Sequence, residues 1–316
     1  MKLIFALAFA AAAVFISSQP IVIKTAASKE LIPEGIAVHP VTGTIYLSSL
    51  HQQKIVAIEK DGTVKDVIKS DEGGFMAGLG MKPDAAGKTL WACSAYNDST
   101  QHKTGLFQID LKSQKVIQTF LRTDTTNCFL NDLVIDKEGN IYATDTEQSS
   151  VFKLDVQTKK LQRWLQHPLL HWANGIALSA DEKTLFVASG DKGLQAIDVD
   201  TKEIKTMASP NTDFYAIDGL AYYNNTLIGV TGWPQDKPQT HRVRQFHLYN
   251  NKITKVDTLS INQPYLNCPT TIAISGNGAY VLSTTNLGIY NRNGARTTGI
   301  LNSLQQPVVL RYNLSK

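Results

Sequence analysis

The stretch "NDLVIDKEGNIYATDTEQSSVFKLDVQTKK" (residues 131–160) is followed by "NGIALSADEKTLFVASGDKGLQAIDVDTKE" (residues 174–203). Each begins with an Asn before an apolar run, passes through a turn rich in Asp, Glu and Lys into a second apolar run, and ends in a third. Runs of about four to eight residues rich in Val, Ile, Tyr and Thr and bounded by turn residues are typical of β-strands. Two such units in succession predict a repeated all-β structure.

The same pattern occurs six times in the chain. The residues that precede the first strand of each unit are Glu34, Ala77, Asn131, Asn174, Asp218 and Thr270, in steps of 43, 54, 43, 44 and 52 residues. Six units of about 40 to 50 residues, each with about four short strands, are characteristic of a six-bladed β-propeller. A single blade cannot bury both of its faces, whereas blades packed around an axis cover each other. The fixed period argues against the alternative of a generic β-sandwich.

The sequences at the two ends of the chain predict how the ring closes and in which compartment the protein is located. Residues 1–20, "MKLIFALAFAAAAVFISSQP", have a basic start and an apolar run of 14 residues, which is short for a membrane span of about 20. We therefore interpret residues 1–19 as a signal peptide, rather than an uncleaved membrane anchor, and residues 20–316 as one propeller domain. The last unit lacks a fourth strand, and the strand in "PIVIKTAA" (residues 20–27) would complete it and remove an open edge. The expected protein is secreted or periplasmic, with no membrane association after cleavage.

Composition and cysteine content exclude several classes of function. The net charge is +4, and Lys and Arg are scattered without a basic block, so no nucleic-acid partner is expected. Cys93, Cys128 and Cys268 are odd in number and lack CxxC spacing, which argues against a zinc site or a disulfide framework. Cys93 lies in an apolar strand and is expected to be a buried thiol. The sequence does not decide whether Cys128 and Cys268 form a disulfide. No GxSxG elbow of a serine hydrolase is present.

The recurring position before each first strand predicts a metal site. In a propeller the innermost strands line a central channel, so equivalent positions form a ring at one height. Four of the six positions carry carboxylate or amide oxygens: Glu34, Asn131, Asn174 and Asp218. Such a set fits Ca²⁺ or another hard divalent cation, and the absence of His and Cys from the ring disfavours zinc and copper. Each residue taken alone is also an ordinary turn residue, and it is the shared position that favours a ligand role.

Four motifs resemble those of a known family. "PEG" (33–35), "LNDLVID" (130–136), "ANGIALS" (173–179) and "IDGLAY" (217–222) are similar to the calcium-binding motifs of the senescence marker protein/gluconolactonase (regucalcin-like) family, which is related to paraoxonase-type calcium-dependent propeller hydrolases. The resemblance covers the chain from about Leu31 onward. It implies a six-bladed propeller with a catalytic Ca²⁺ held by Glu34, Asn131, Asn174 and Asp218. It also implies that Asn131 contacts the substrate and that Asp218 is a candidate general base.

Two departures from these families bear on the substrate. Phe129 stands where gluconolactonases carry an arginine, and Ala77 stands at the ring position where paraoxonases carry a histidine. Neither a sugar lactone nor a histidine dyad is therefore expected, and the predicted function is exported, calcium-dependent hydrolysis of a small lactone or related ester. Asp218 and Glu34 are the candidates for activating water, and His171 is a candidate auxiliary base. Four aromatic residues are expected either to form an apolar rim that selects an acyl chain or to fill crevices between blades: Phe75, Phe129, Trp172 and Trp233.

Two other functions stay open at this point. One is a non-enzymatic propeller that binds a partner or ligand on one face, a reading that the departures at Phe129 and Ala77 allow. The other is an enzyme similar to strictosidine synthase, a class that generally lacks the full calcium ring. The four oxygen-bearing positions favour the hydrolase over both.

Export can be tested directly. If residues 1–19 are a signal peptide, mass spectrometry of protein from the native host will show a mature start between residues 14 and 20. An intact Met1 in a membrane fraction would contradict the prediction.

Overall fold

The structure is a computed structural model of the chain, and it describes residues 19–96, 102–123, 126–207 and 215–315. These residues form six four-stranded antiparallel sheets, the blades of a six-bladed β-propeller. The predicted fold class is therefore confirmed. The predicted signal peptide lies almost wholly in residues 1–18, outside the described ranges.

Blades 1 to 5 each use four consecutive strands, and blade 6 combines the last three strands with the first. In chain order the strands are β1 (Ile21–Lys24), β2 (Pro33–Val38), β3 (Ile45–Ser49), β4 (Ile55–Ile58), β5 (Val64–Ile68), β6 (Ala77–Pro83), β7 (Thr89–Ala95), β8 (Lys103–Asp110), β9 (Lys115–Thr123), β10 (Leu130–Ile135), β11 (Ile141–Asp145), β12 (Ser150–Asp155), β13 (Lys160–Gln166), β14 (Ala173–Leu178), β15 (Thr184–Ser189), β16 (Gly193–Asp198), β17 (Ile204–Thr206), β18 (Leu220–Tyr223), β19 (Thr226–Thr231), β20 (Arg242–Tyr249), β21 (Lys252–Ile261), β22 (Ile272–Ser275), β23 (Gly278–Thr284) and β24 (Val308–Asn313).

Helical structure is confined to short pieces in the described residues. There is one α-helix, α1 (Leu287–Arg292), which the sequence analysis did not predict because six residues are too few to show a helical period. The 3₁₀ turns span Lys29–Leu31, Glu72–Gly74, Pro168–Leu170, Pro238–Thr240 and Leu301–Ser303. Across the described part of the chain, no helix has the length and apolarity to cross a membrane.

The hydrophobic core lies between the blades. Second strands such as β15 are buried along their whole length, whereas the outermost strand β9 is largely exposed. Between blades 1 and 2, Tyr46 and Ile55 belong to one buried cluster with Met81 and Phe107. Burial of both faces explains why the second strands read as continuous apolar runs in the sequence.

Each innermost strand enters its blade through a β-bulge, where two residues stand opposite one. In blade 1, Pro33 pairs with Ser49 and Ile36 with Leu47, so Glu34 and Gly35 together face Ser48. The same register shift makes Asn131 and Asp132 the bulge residues of blade 3, and Asn174 and Gly175 the bulge residues of blade 4. Backbone hydrogen bonds give the same arrangement at Asp218–Gly219 around Val230 and at Thr270–Thr271 around Leu282. A bulge re-aims its side chains, and six equivalent bulges aim one residue per blade at the same height.

The register corrects one ring position. Gly78 pairs with Ser94 and Met81 with Ala92, so the bulge residues of blade 2 are Leu79 and Gly80, and the assignment of Ala77 to the ring is wrong. Ala77 and Leu79 both precede a glycine, so the local sequence does not distinguish them, whereas the strand register and the contact with the neighbouring blade both identify Leu79. A Cβ added to Gly35 would lie 2.0 Å from the carbonyl oxygen of Leu79. The comparison of Ala77 with a paraoxonase histidine therefore does not hold.

The ring is closed by the N-terminal strand and by two threonines. β1 pairs antiparallel with β24, with Ile21 opposite Arg311 and Lys24 opposite Val308. At the inner side, the hydroxyl groups of Thr270 and Thr271 both donate to the carbonyl oxygen of Glu34. Blade 6 is thus joined to the N-terminal strand at its outer edge and to blade 1 at the ring.

Removal of the N-terminal strand is expected to open an edge. Deletion of residues 19–28 leaves the backbone groups of β24 unpaired, and we expect aggregation or a large fall in Tm, measured by light scattering and calorimetry. Substitution of the exposed Ile21 and Val22 by Thr keeps the pairing, and we expect it to leave Tm almost unchanged. A truncated protein as stable as the parent would refute a stabilising role for this strand.

Candidate functional site

The four predicted ligand residues occupy the first bulge position of blades 1, 3, 4 and 5. The second position is a glycine in three of these blades, which lets the next blade approach closely. The Gly175 N–H donates to the Asp218 carbonyl oxygen at 2.7 Å, and a Cβ on Gly175 would lie 2.4 Å from that oxygen. Consecutive inner strands contact each other around the whole ring, from β2 through β22 and back to β2. The bulges and glycines together bring the predicted side chains to one end of the channel.

The side-chain N–H groups of both ring asparagines donate hydrogen bonds to neighbouring residues. The Asn131 Nδ2 donates to Thr146 Oγ1 at 3.0 Å, and this hydroxyl donates to the Ala173 carbonyl oxygen at 2.7 Å. The Asn174 side chain hydrogen-bonds the Asp218 carboxyl group. Because the N–H groups are engaged in this way, the Oδ1 atoms of both residues remain as acceptors. Thr146 was not among the predicted site residues, since its role depends on a contact between blades.

The ring carboxyl groups are buried and repel each other. Glu34 is 6% exposed, and its pKa is raised well above its usual value, first by burial and then by Asp218 and Asp132. The pKa of Asp218 is raised by burial and by Asp132, while the hydrogen bond from Asn174 opposes the shift. Glu34 Oε2 is buried without a hydrogen-bond partner among the described residues. Such an orphaned acceptor is unfavourable unless a cation or a donor occupies the position next to it.

Asp132 is a third buried carboxyl group that the sequence analysis did not single out. It is 3% exposed and accepts hydrogen bonds from the backbone N–H groups of Leu133 at 2.9 Å and Ile176 at 3.4 Å. Burial raises its pKa, and Lys82 opposes the shift. Asp132 occupies the second bulge position, which is glycine in four other blades. The break in that glycine pattern was the available signal, but Asn-Asp was read only as a ligand followed by a turn residue.

The donor set fits a hard divalent cation. Of the two remaining ring positions, Leu79 is apolar, and the Thr270 hydroxyl donates its proton to the Glu34 carbonyl oxygen. In the described part of the chain, no three His, Cys, Asp or Glu side chains are arranged to hold a metal ion. A metal site here therefore needs amide oxygens as well as carboxylates, which is the combination that Ca²⁺ accepts. The unpartnered Oε2 of Glu34 is the observation that favours this fit.

The predicted auxiliary base and aromatic rim lie in the connections around the ring. His171 Nδ1 lies 2.9 Å from Asp191 Oδ1, and its ring stacks on Trp172 at 4.6 Å between centroids. Trp172 and Trp233 are 56% and 59% exposed, and Phe129 is half-buried. Phe75 is wrongly assigned to the rim, because it packs edge-on against Phe107 inside the cluster between blades 1 and 2.

The three cysteines are buried thiols, and Cys128 and Cys268 do not form a disulfide. The expectation that Cys93 is a buried thiol is confirmed. Burial raises the pKa of Cys268 to about 12, with a further contribution from Asp218. Burial also raises the pKa of Cys93, so neither Cys93 nor Cys268 is expected to act as a thiolate nucleophile.

Comparison with known proteins agrees with this architecture. The family model described as SMP-30/Gluconolactonase/LRE-like region matches residues 6–285, while no curated protein sequence matches the chain. A gluconolactonase from Xanthomonas campestris has a TM-score of 0.63 at 16% identity, over 94% of this chain and 90% of that chain. A luciferin-regenerating enzyme gives 0.62 at 17% identity, over 93% and 95%. A chain of a nidogen–laminin complex gives 0.59 at 15% identity, over 78% and 86%. At these identities the structural likeness establishes the fold alone.

The repulsion within the ring predicts an unusual stability effect. Glu34→Gln replaces a carboxyl group whose ionised form is disfavoured by burial and by Asp218 with a neutral amide, so we expect the metal-free protein to become more stable by about 1–3 kcal/mol. Chemical denaturation in EDTA measures the change in the free energy of unfolding.

The control for this experiment is Glu138→Gln, which makes the same charge change on the exposed turn between β10 and β11, and it should have little effect. A less stable Glu34→Gln protein in EDTA would show that the Glu34 carboxyl group is well accommodated without a cation.

Proposed function

Since the chain belongs to the SMP-30/gluconolactonase/LRE-like family, we propose that it is a calcium-dependent hydrolase of lactones or related esters, with its active site at the ring. The observation that carries the proposal is the buried Glu34 carboxylate, whose Oε2 lacks a partner among the described residues, in a ring that also holds Asp218 and two amide oxygens. A ring that served only packing would not concentrate repelling carboxyl groups at one end of a channel.

The residues that would hold the cation are Glu34, Asn131, Asn174 and Asp218. When bound there, Ca²⁺ would supply Lewis-acid polarisation of the substrate carbonyl and stabilise the developing oxyanion. Thr146 fixes the orientation of the Asn131 amide, so that Asn131 can also hold the lactone oxygen in a defined position.

Asp218 is the residue to which we assign proton uptake from the attacking water. Its carboxyl group is buried in the ring beside Asn174, and a carboxylate next to the substrate can act as a general base. Its hydrogen bond from Asn174 holds the carboxyl group in place. His171 is the second candidate, as an auxiliary base that passes the proton to solvent, because it is half-exposed and paired with Asp191 at the rim.

The substrate that we propose is a small lactone or ester without a requirement for polyol recognition. Phe129 replaces the arginine of gluconolactonases at the entrance, and an aromatic ring favours apolar contact over hydroxyl recognition. We also propose that the protein acts outside the cytoplasm, on the basis of residues 1–19.

Calcium binding should depend on the two carboxylates more than on either amide. Removing one carboxylate leaves the cation under-neutralised in a buried site, whereas removing an amide loses a neutral ligand. We expect Glu34→Gln and Asp218→Asn to raise the calcium Kd by about tenfold or more relative to Asn174→Ala, measured by isothermal titration calorimetry. Glu138→Gln is the matched control and should bind as the parent does. Equal losses in all three ring variants would contradict the charge argument.

Hydrolysis is tested with γ- and δ-lactones and aryl esters by pH-stat, in calcium and then in EDTA. Turnover in calcium should disappear in EDTA and in Asp218→Asn, and calcium should raise the Tm of the parent by mass action. Activity that is indifferent to EDTA and to both carboxylate changes would place the active site elsewhere. If calcium binds tightly but no lactone or ester is hydrolysed, the ring is structural and the reading as a ligand-binding propeller prevails.

A further inference from the structure

The connection between β23 and β24 is much longer than its counterparts. It spans residues 285–307, whereas the same connection in the other blades has between three and ten residues. Because each inner strand starts at the ring and the second strand returns toward it, this connection lies on the ring face. The bond from the Leu50 N–H to the Ile32 carbonyl oxygen marks the same face in blade 1.

The two ends of this segment are tied together at its base. The Asn286 side chain donates to the Gln305 carbonyl oxygen at 2.7 Å and accepts from the Gln305 N–H at 3.0 Å. It also donates to the carbonyl oxygen of Lys29 at 3.0 Å. Residues 286–305, which we call the cap, therefore form a compact segment whose ends lie close together.

The cap is anchored to the blades on both sides of blade 6. On the side of blade 1, Tyr290 and Leu304 are buried against Ile32, and Thr297 Oγ1 donates to Glu30 Oε1 at 2.9 Å. On the side of blade 5, the Asn291 amide donates to Gln235 Oε1 at 3.3 Å. A segment that starts in blade 6 and reaches both neighbouring blades lies across the ring face of blade 6.

One side chain of the cap reaches further toward the channel. Leu287 is half-buried and packs against two clusters. One is the cap's own cluster of Ile32, Tyr290 and Leu304, and the other joins Leu50 of blade 1 to Leu79 and Leu130 of blades 2 and 3. Phe129, at the entrance, packs against this second cluster. Leu287 therefore belongs to the wall of the channel mouth rather than to the interior of blade 6.

We propose that the cap is a fixed roof over the mouth of the ring and that Leu287 is its specificity-determining side chain. The roof admits small lactones and excludes those with bulky substituents, a substrate limit that rests on the proposed function. The network of anchors makes the roof a permanent part of the entrance.

A labelling experiment tests the roof without any enzymatic activity. The native cysteines are buried, so Asn174→Cys places one reactive thiol in the ring, and its rate of reaction is measured with a small methanethiosulfonate and with a bulky fluorescein maleimide. We expect Leu287→Ala to raise the bulky-reagent rate several-fold relative to the small-reagent rate. The matched control is Leu301→Ala, a leucine in the same cap that is 50% exposed, which should leave the ratio unchanged.

A second variant removes the roof altogether. Residues 287–304 are replaced by two glycines. Two residues are enough to join Asn286 to Gln305, because these two residues are hydrogen-bonded to each other. This variant should also label faster with the bulky reagent. An unchanged ratio in Leu287→Ala, whether or not the shortened protein folds, would overturn the proposal.

A kinetic experiment on substrate selectivity tests the part of the proposal that rests on the proposed function. With asparagine retained at position 174, Leu287→Ala should raise kcat/KM for γ-lactones with long alkyl substituents by about tenfold relative to γ-butyrolactone, while Leu301→Ala should not. Hydrolysis with no change in this preference would overturn the substrate limit and leave the hydrolase intact. If no lactone is hydrolysed by any form, the proposed function fails, and the labelling ratio still decides whether the cap is a roof.

Discussion

The bulge at the start of each innermost strand is the constraint on which the rest of the structure depends. Two residues opposite one shift the register of the strand, so that one side chain per blade is aimed into the channel and the next residue meets the neighbouring blade. Where that second residue is glycine, as at Gly35, Gly175 and Gly219, backbone meets backbone at distances that no Cβ would allow. The spacing of the blades and the height of the ring thus follow from the same local backbone feature.

Asp132 shows what happens where the glycine is replaced. Its carboxyl group lies against Gly80 of blade 2 and accepts a hydrogen bond from Ile176 of blade 4. It therefore links three blades, and it adds a third buried acid near Glu34 and Asp218. Carboxyl groups concentrated in this way oppose folding when no cation is present, and such local conflicts are typical of functional sites.

The sequence predicted the blades, the ring and its four oxygen donors, because repeat spacing and turn residues report on each unit separately. It failed at Ala77, since Gly78 and Gly80 gave two equally good local matches, and only the strand register and the contact with Gly35 identify Leu79. The sequence also did not predict the roles of Thr146, Asp132 and the cap, because those roles depend on contacts with neighbouring blades. Phe75 was misplaced because an aromatic residue before an inner strand reads alike whether it faces solvent or a neighbouring blade.

Blade 6 is assembled from both ends of the chain, and this has a consequence for folding in the cell. When the chain folds from its N-terminal end, blades 1 to 5 can form one after another from contiguous segments. β1 must wait for β24, which lies almost 290 residues later, and until then Ile36 and Leu47 of blade 1 lack the blade 6 residues Leu282 and Val309 that cover them. The partly folded chain therefore exposes the apolar surface of blade 1 until the last strands of blade 6 are available. Pairing partners so distant in sequence favour late and slow closure.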